Sequence, residues 1–241
     1  MTSMRHADRA IDRVEIVVPA RDEAETLDLH LDSLATAAAR AQERWPGLDV
    51  HATLVLDSCT DTSAEVAARH PWIEVLEVDL GVVGLVRRAG IEHVRPRLEG
   101  LDPARVWLAC TDADSVVPAE WLVTHLELAA SGHGLVVGAV SPDPKHLAPR
   151  ALRSWRARHV LREGHEHVHG ANLGLTLRAH DAAGGFAGLP TGEDVDLVER
   201  VRTTTDAWCA TARHPVVTSA RLRGRAPAGF AAYLLTLASS S

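Results

Sequence analysis

Short apolar runs alternate with helical segments along the first half of the chain, and this alternation is the feature that most constrains the fold. Val14–Val18 is a β-branched run that we expect Pro19 to end, and Glu23–Arg44 carries leucines at helical spacing. The same two patterns return at Val50–Leu56 and Thr62–Arg69. Strands that alternate with helices predict an α/β fold with a mostly parallel central sheet flanked by helices.

The alternation continues and is then lost in the segment 143–165. That segment is rich in arginine and histidine and has no clean period beyond a helix expected near Ala151–Leu161, so we expect it to cover a sheet edge. We therefore predict a single domain. The other predicted elements are strands at Ile73–Val78, Val106–Cys110 and Leu135–Val140, and helices at Gly84–Val94 and Ala119–Ala130.

The charge balance and the cysteines exclude several classes of protein. With 25 Lys and Arg residues against 32 Asp and Glu, the formal charge is -7, which has the wrong sign for a partner of nucleic acid. The three cysteines lack CxxC spacing and predict neither a disulfide framework nor a zinc ribbon. The sequence shows no signal-peptide pattern and no long apolar run, so we expect a cytoplasmic protein without integral membrane association.

Acidic residues follow the predicted strands, where an open α/β sheet binds its ligands. Asp57 follows the second strand, and Asp112 and Asp114 follow the fourth. Alternate residues at a strand end can direct two carboxylates at one hard cation. Asp112 and Asp114 also fit a turn in which aspartate caps backbone N–H groups. The residues alone leave both interpretations open.

Three common ligand motifs are absent from the sequence. There is no GxxxxGK[ST] loop and no GxGxxG after the first strand, which excludes a P-loop and disfavours a dinucleotide site of the Rossmann type. There is also no GxSxG elbow, which weakens an esterase or lipase interpretation.

The acidic strand ends belong to a longer ordered series of sequence blocks, which together resemble glycosyltransferase family 2. The resemblance covers roughly residues 14–201 and implies a GT-A fold, a nucleotide diphosphate sugar as donor, and a divalent metal, Mg or Mn. The blocks are VEIVVPARDEAETL, LVLDSCTDTSAEVA, GVVGLVRRAGIE, LACTDADSVVPAEWL, HGANLGLTLRAHDAAGGF and GEDVDLVERV.

The resemblance implies roles for residues at the strand ends. Pro19, Ala20 and Glu23 match the first loop that contacts the nucleotide, and Asp57 matches the acid that hydrogen-bonds the base. Arg88 falls where the family often has a basic residue near the diphosphate. These residues form the expected donor site.

Two acidic motifs are expected to supply the metal site and the base. Asp112 and Asp114 match the family's DxD motif, with Asp114 as the direct metal ligand and Asp112 at the ribose or the metal's water. In the ED pair, the Asp194 carboxylate resembles the general base that deprotonates the acceptor hydroxyl. From the residues alone, Asp194 also fits the start of a helix capped by Thr191.

Two other features, the alternating histidines and the arginine stripe, keep two interpretations each, and the GAN block has one. His165, His167 and His169 alternate, so an extended backbone places all three on one side, where they can hold a transition metal. In the other interpretation they are loop residues, and His169 lies beside the acceptor. The GAN block at 170–172 resembles the family's loop on the acceptor side. The arginine stripe at 221–225 fits either a clamp on the donor diphosphate or a solvated edge strand.

The sequence therefore predicts a metal-dependent glycosyltransferase domain over 1–241, with a donor-binding half at 14–118, an acceptor-side half at 119–230 and frayed termini. A single displacement by an acceptor hydroxyl implies inversion at the anomeric carbon. The alternatives are an inactive module that binds nucleotide sugars and a nucleotidyltransferase. The acidic PARDEAE loop argues against the second alternative.

Overall fold

Eight strands and seven α-helices alternate along residues 11–205 and 207–220, the part of the chain that the computed structural model describes. The predicted frayed termini and the arginine stripe lie outside these residues. The strands are β1 Arg13–Ala20, β2 Asp49–Asp57, β3 Glu74–Val78, β4 Val106–Cys110, β5 Ser115–Val116, β6 Leu135–Pro142, β7 Leu173–Thr176 and β8 Trp208–Thr218. The helices are α1 Ala24–Arg44, α2 Ser63–Ala67, α3 Val83–Val94, α4 Trp121–Ala130, α5 Pro149–Arg158, α6 Leu177–Ala182 and α7 Glu193–Thr204, with 3₁₀ turns at Arg95–Leu98 and Gly170–Asn172.

The strands form one mostly parallel sheet, as the sequence predicts. Their order in the sheet is β3-β2-β1-β4-β7-β6-β8-β5. β1 pairs in parallel with both β2 and β4, so these three strands end at one edge of the sheet. β7 runs antiparallel to its neighbours β4 and β6, and the short β5 runs antiparallel to β8. The ligand-binding edge is therefore built mainly by β1, β2 and β4.

Helices cover both faces of the sheet. On one face, Leu27, Leu31 and Leu34 of α1 are fully buried in a cluster that also contains residues of α4. On the other face, Ile91 of α3 and Val198 of α7 are fully buried in a second cluster. Each such side chain contributes roughly 1.5 to 3 kcal/mol through removal of apolar surface from water, so the two helix pairs fix the sheet edge from both sides.

The expectation that Pro19 ends the first strand is wrong, because β1 continues through Pro19 to Ala20. Pro19 stands opposite Val55 of β2, whereas the pairing with β4 stops at Val17. Beyond Val17 the β4 side of β1 is open, and a residue without a backbone N–H is tolerated there.

Strands β7 and β8 were not predicted from the sequence. β7 spans only four residues and contains Gly174, so it carries little β signal. β8 contains His214 at φ 50° followed by Pro215, and its register against β6 shifts between Gly138 and Val140. This bulge interrupts the period-two pattern by which a strand is recognised.

A buried polar network anchors the GAN block to the sheet. Trp107 Nε1–H donates to His125 Nδ1 at 3.4 Å, and His125 Nε2 lies 3.1 Å from Asn172 Oδ1, which also accepts from Trp121 Nε1 at 2.9 Å. The Asn172 amide donates in turn to the Ala139 carbonyl at 2.8 Å. Because both indoles can only donate, the network requires a neutral His125 that carries its proton on Nε2.

The neutral state of His125 links stability to pH. Burial lowers the pKa of His125 to about 4, although the Asn172 hydrogen bond acts in the opposite direction. The unfolded chain, with a histidine pKa near 6.5, therefore binds more protons than the folded chain between pH 6.5 and 4, and stability falls as the pH falls through that window.

We predict that wild-type protein loses about 2 kcal/mol more stability than His125→Gln between pH 7 and pH 5, because only the histidine gains a proton on unfolding. Urea denaturation at both pH values measures the difference. His51→Gln, an exposed histidine on β2, is the control and should keep the wild-type pH dependence. Equal pH dependence of wild type and His125→Gln would contradict a neutral buried His125.

Candidate active site

The acidic residues predicted for the site meet at the ends of β1, β2 and β4. Asp57 ends β2 and Asp112 follows β4, while Glu193 and Asp194 occupy the first turn of α7. The sheet topology thus brings together residues that are more than 130 positions apart in sequence.

Arg87 of α3 lies between the acidic residues of β4 and α7. One guanidinium nitrogen is 2.5 Å from Asp112 Oδ1, and another contacts the Glu193 carboxylate. Although burial opposes the charged form, these two carboxylates raise the pKa of Arg87. The Arg87 and Glu193 side chains are 3% and 6% exposed, but that of Asp112 is 36% exposed, so Asp112 is the member of this group that solvent reaches.

The sequence resemblance assigned Arg88 to the diphosphate; the structure places Arg88 on the exposed face of α3 and Arg87 beside the carboxylates. A signal for Arg87 was present in the sequence. Gly84, Arg87 and Ile91 recur at helical spacing and share the buried face of α3. A cation on that face can only be accommodated with buried acidic partners.

The site carries more negative than positive charge. Burial and the neighbouring Asp194 and Glu23 raise the pKa of Asp112, while Arg87 acts to lower it. Burial likewise raises the pKa of Glu193, with smaller contributions from Asp194 and Asp112. Carboxylates that disfavour one another's ionisation create a potential that attracts a cation.

Asp194 joins α7 to the GAN block. Its Oδ2 accepts a 2.6 Å hydrogen bond from the Gly170 N–H, and its Oδ1 accepts from the Val195 N–H at 2.8 Å. A Cβ atom at position 170 would lie 2.5 Å from an Arg87 nitrogen, so only glycine allows this approach. Asp194 does lie in the first turn of α7, as the alternative interpretation expected, but Thr191 does not cap the helix, because Gly192 is the N-cap residue and no side chain caps the turn.

Asp114 lies where the carboxyl end of β8 reaches the site. Its Oδ1 is 3.3 Å from the Thr218 hydroxyl, and its carbonyl accepts from the Ser219 N–H at 3.0 Å. The predicted arginine stripe begins two residues after Ser219, outside the described residues. The chain thus enters that segment beside Asp114.

The fit of the site to a divalent cation rests on the chemistry of its donors. Asp112 and Asp114 offer hard oxygen ligands beside a surplus of negative charge. Within the described part of the chain, they do not belong to a group of three clustered protein ligands. Two protein carboxylates would leave the other positions of a cation to donor oxygens and water, as is common for Mg²⁺.

One group of three potential ligand residues does occur in the described residues, namely Asp22, Cys59 and Asp61. Asp22 Oδ1 accepts from the backbone N–H groups of Thr60 and Asp61, at 2.6 and 3.2 Å, and the Thr60 bond is the main cause of the lowered pKa of Asp22. The Asp61 carboxylate accepts from the N–H of Ala24 at 2.9 Å. These acids bind the loop after β2 to the start of α1.

Asp57 holds the loop that follows β3. Asp57 is only 5% exposed, and its carboxylate accepts hydrogen bonds from the N–H groups of Leu80, at 2.7 Å, and Gly81, at 3.1 Å. Glu23 is also buried, and its N–H donates to the Ser63 hydroxyl at 2.9 Å. Pro19 and Ala20 end β1, which lies between β2 and β4 in the sheet. The predicted donor residues therefore share one edge.

The three alternating histidines do stack on one side, but their rings do not converge. Ring centroids are 6.1 Å apart for His165 and His167 and 6.4 Å apart for His167 and His169. His159 stacks on Trp155 of α5 at 4.7 Å, and its ring lies 4.6 Å from that of His167 at a tilt of 35°. These five residues share the lining of one small cavity, and His169 precedes Gly170 in the chain.

The environment of His169 depends on Asp194. Burial lowers the pKa of His169 to about 4, and the Asp194 carboxylate acts to raise it. We call the lining formed by Trp155, His159, His165, His167 and His169 the histidine cleft. Within the described residues, the three alternating histidines do not form a cluster of metal ligands.

Comparison with known proteins identifies the family. The family model for Glycosyl transferase family 2 matches residues 15–189. No curated protein sequence matches the chain.

Solved structures share the fold at low sequence identity. TarS 1-349 from S. aureus superposes with a TM-score of 0.62 at 11% identity, over 86% of this chain and 60% of TarS. A mannosyltransferase from Pyrobaculum calidifontis, in complex with GDP-Man and Mn²⁺, gives 0.55 at 19% identity, over 84% and 57%. Glucosyl-3-phosphoglycerate synthase from Mycobacterium tuberculosis, with Mn²⁺, UDP-glucose and glycerol 3-phosphate, gives 0.53 at 15% identity, over 85% and 71%. The chain thus spans about 60% of the length of the first two.

We predict that Arg87→Met lowers the free energy of unfolding by about 3 to 5 kcal/mol, since it leaves buried carboxylates without their cation. Chemical denaturation at pH 7 measures this loss. Arg88→Met, which removes an exposed charge from the adjacent position, is the matched control and should change stability by less than about 0.5 kcal/mol. The double variant Arg87→Met/Glu193→Gln should recover part of the loss. Equal effects of the two single variants would contradict the buried ion pair.

Proposed function

Because the chain belongs to glycosyltransferase family 2, we propose that it transfers a sugar from a nucleotide diphosphate sugar to an acceptor hydroxyl. The observation that carries the proposal is the hydrogen bond of Gly170 to Asp194 beside the Arg87–Asp112 ion pair. It supports the proposal because Gly170 also approaches Arg87, so the candidate base is close to the candidate diphosphate and metal site. A donor and an acceptor must come together in this way for direct transfer.

The donor nucleotide is proposed to bind along the ends of β1 and β2. Asp57 is the candidate hydrogen-bond partner of the donor's nucleobase, since its buried carboxylate lies at the ligand-binding edge. Pro19, Ala20 and Glu23 form the wall beside it. Arg88 is proposed as a diphosphate contact from the sequence resemblance alone, and its exposed position on α3 adds no support for that role.

Asp114, with Asp112 beside it, is proposed to hold a divalent metal, Mg²⁺ or Mn²⁺. Such an ion, when bound, neutralises the charge that develops on the leaving diphosphate. Two similar structures contain Mn²⁺ together with a nucleotide sugar. The acid surplus around Asp112 supports the same assignment for this chain.

Asp194 is proposed to accept the proton of the attacking acceptor hydroxyl. The Gly170 N–H holds one of its oxygens, and the position at the start of α7 fixes the side chain at the cleft. Attack on the anomeric carbon from the side opposite the diphosphate gives inversion in a single displacement. Arg87 orients Asp112 and Glu193 and takes no part in proton transfer.

In this proposal the single domain has a donor-binding half and an acceptor-side half, and each half is built by different elements around the sheet. β1, β2 and β4 supply the donor wall, and the GAN block and α7 supply the acceptor wall. No observation favours a nucleotidyltransferase, because the loop after β1 is acidic and binds the β2 loop.

We predict that one nucleoside diphosphate raises the Tm by several degrees in the presence of Mn²⁺, because a ligand that binds only the folded state stabilises it. A thermal-shift panel of UDP, GDP, dTDP, ADP and CDP, each with and without Mn²⁺, measures this. Asp114→Asn should abolish the metal-dependent part of the shift. Asp102→Asn, an exposed acid outside the site, is the control and should retain it. A shift that is independent of Asp114 would argue against the metal site.

We predict that Asp194→Asn lowers the transfer rate by about 10² to 10⁴-fold, because the attacking hydroxyl loses its base. Transfer from the donor identified by thermal shift is measured by release of the nucleoside diphosphate. Glu199→Gln, an exposed acid on the same helix, is the control and should leave the rate unchanged. Donor binding should persist in Asp194→Asn. Wild-type turnover in this variant would exclude Asp194 as the base, and donor binding without turnover in the wild type would indicate an inactive module.

A further inference from the structure

Positive charge on this acidic protein is concentrated in one exposed segment. Residues 143–162, which include α5, contain six Lys and Arg residues and one acid, so the rest of the chain is more acidic than the overall charge of -7. The arginines Arg150, Arg153, Arg156, Arg158 and Arg162 are all exposed. We call the surface formed by these five side chains the arginine face.

The arginine face is a cluster of exposed arginines without acidic partners. Most exposed arginines elsewhere in the described residues pair with carboxylates, as Arg69 does with Asp28 and Arg178 with Asp102, while Arg44 and Arg88 are isolated exceptions. None of the five arginines of the face forms an ion pair within residues 11–205 and 207–220. Their charge is therefore available to an external anion.

Packing of α5 fixes which side of the helix is exposed. Ala151 and Trp155 are buried against Leu147 and Ala220, so the apolar side of α5 faces the protein. Arg150, Arg153 and Arg156 recur every three residues away from that side. The chain continues from Ala220 into a stretch that holds three more arginines and no acid up to residue 241, so its charge does not complement the arginine face.

Two exposed apolar residues follow the helix directly. Val160 is 60% exposed and Leu161 is 40% exposed, next to Arg158 and Arg162. A soluble polyanion gains nothing from such side chains, whereas a membrane interface binds cations through its headgroups and apolar side chains through its acyl boundary. The combination favours a membrane surface over a soluble anion.

We propose that the arginine face, with Val160 and Leu161, docks the protein on the surface of an anionic phospholipid membrane. Attraction of basic residues to anionic headgroups is local, so the overall negative charge does not prevent it. No helix in the described part of the chain is long and apolar enough to span a membrane, and docking of this kind needs none.

Docking would also orient the histidine cleft. Leu161 lines this cleft together with Trp155 and His159, and His169, whose pKa responds to Asp194, belongs to the same lining. If the proposed transfer function holds, docking would place the Leu161 side of the site next to the membrane. The docking itself does not depend on the transfer function.

The test is co-sedimentation of the full chain with vesicles of phosphatidylcholine, with and without 30% phosphatidylglycerol, at low and high salt. We expect binding to the anionic vesicles only, and weaker binding at high salt. Arg150→Gln/Arg153→Gln/Arg156→Gln should reduce the affinity by at least about tenfold, because each arginine near an anionic surface contributes measurably. The matched control, Arg69→Gln/Arg105→Gln/Arg178→Gln, makes the same change in net charge and should bind like the wild type.

A second variant separates a membrane from a soluble anion. Val160→Ser/Leu161→Ser should weaken vesicle binding and leave the binding of soluble polyphosphate unchanged. Circular dichroism melting verifies that each variant is folded. Absence of binding to anionic vesicles, equal loss in both arginine variants, or vesicle binding that is insensitive to Val160 and Leu161 would each overturn the proposal. Because no donor or acceptor is present in this experiment, its result is independent of the proposed transfer reaction.

Discussion

The buried guanidinium of Arg87 is the interaction on which the site depends. It joins α3 to the end of β4 through Asp112 and to the start of α7 through Glu193, three elements that are distant in sequence. Separating a buried cation from its partners costs several kcal/mol, since the buried charges of Arg87 and Glu193 would be left uncompensated. The pair therefore fixes the relative position of the two acidic motifs. Gly170 completes the arrangement because its missing side chain allows the GAN block to approach Arg87.

The opposite wall of the site is held by neutral hydrogen bonds rather than by charge. Asn172 accepts from Trp121 and His125 and donates to the Ala139 carbonyl, all in the interior. Each polar atom in this network has its partner, so burial does not leave it unsatisfied. The charged and the neutral anchor meet in the GAN block, where Gly170 contacts Asp194 and Asn172 contacts the sheet. The acceptor side is thereby attached to the rigid core.

Charge is distributed unevenly over this protein, and the distribution matters more than its sum. The site has a surplus of carboxylates around one arginine, while α5 and the residues after it have exposed arginines without acidic partners. Screening confines each field to about 8 to 10 Å at ordinary ionic strength. An acidic site and a basic surface can therefore coexist in one small fold, and each can attract a different ligand.

The sequence by itself determined the mostly parallel sheet, the family and the acidic strand ends, because these depend on local periodicity and on short ordered motifs. It did not predict β7 or β8, in which a glycine and a bulge obscure the strand pattern, nor the continuation of β1 through Pro19. Helical spacing already indicates that Arg87 lies on the buried face of α3, but only the tertiary structure decided which carboxylates it contacts, because Asp112 and Glu193 come from distant segments. It also decided that Asn172 anchors the core and that the arginines of α5 stay without partners, because both depend on what the fold brings near them.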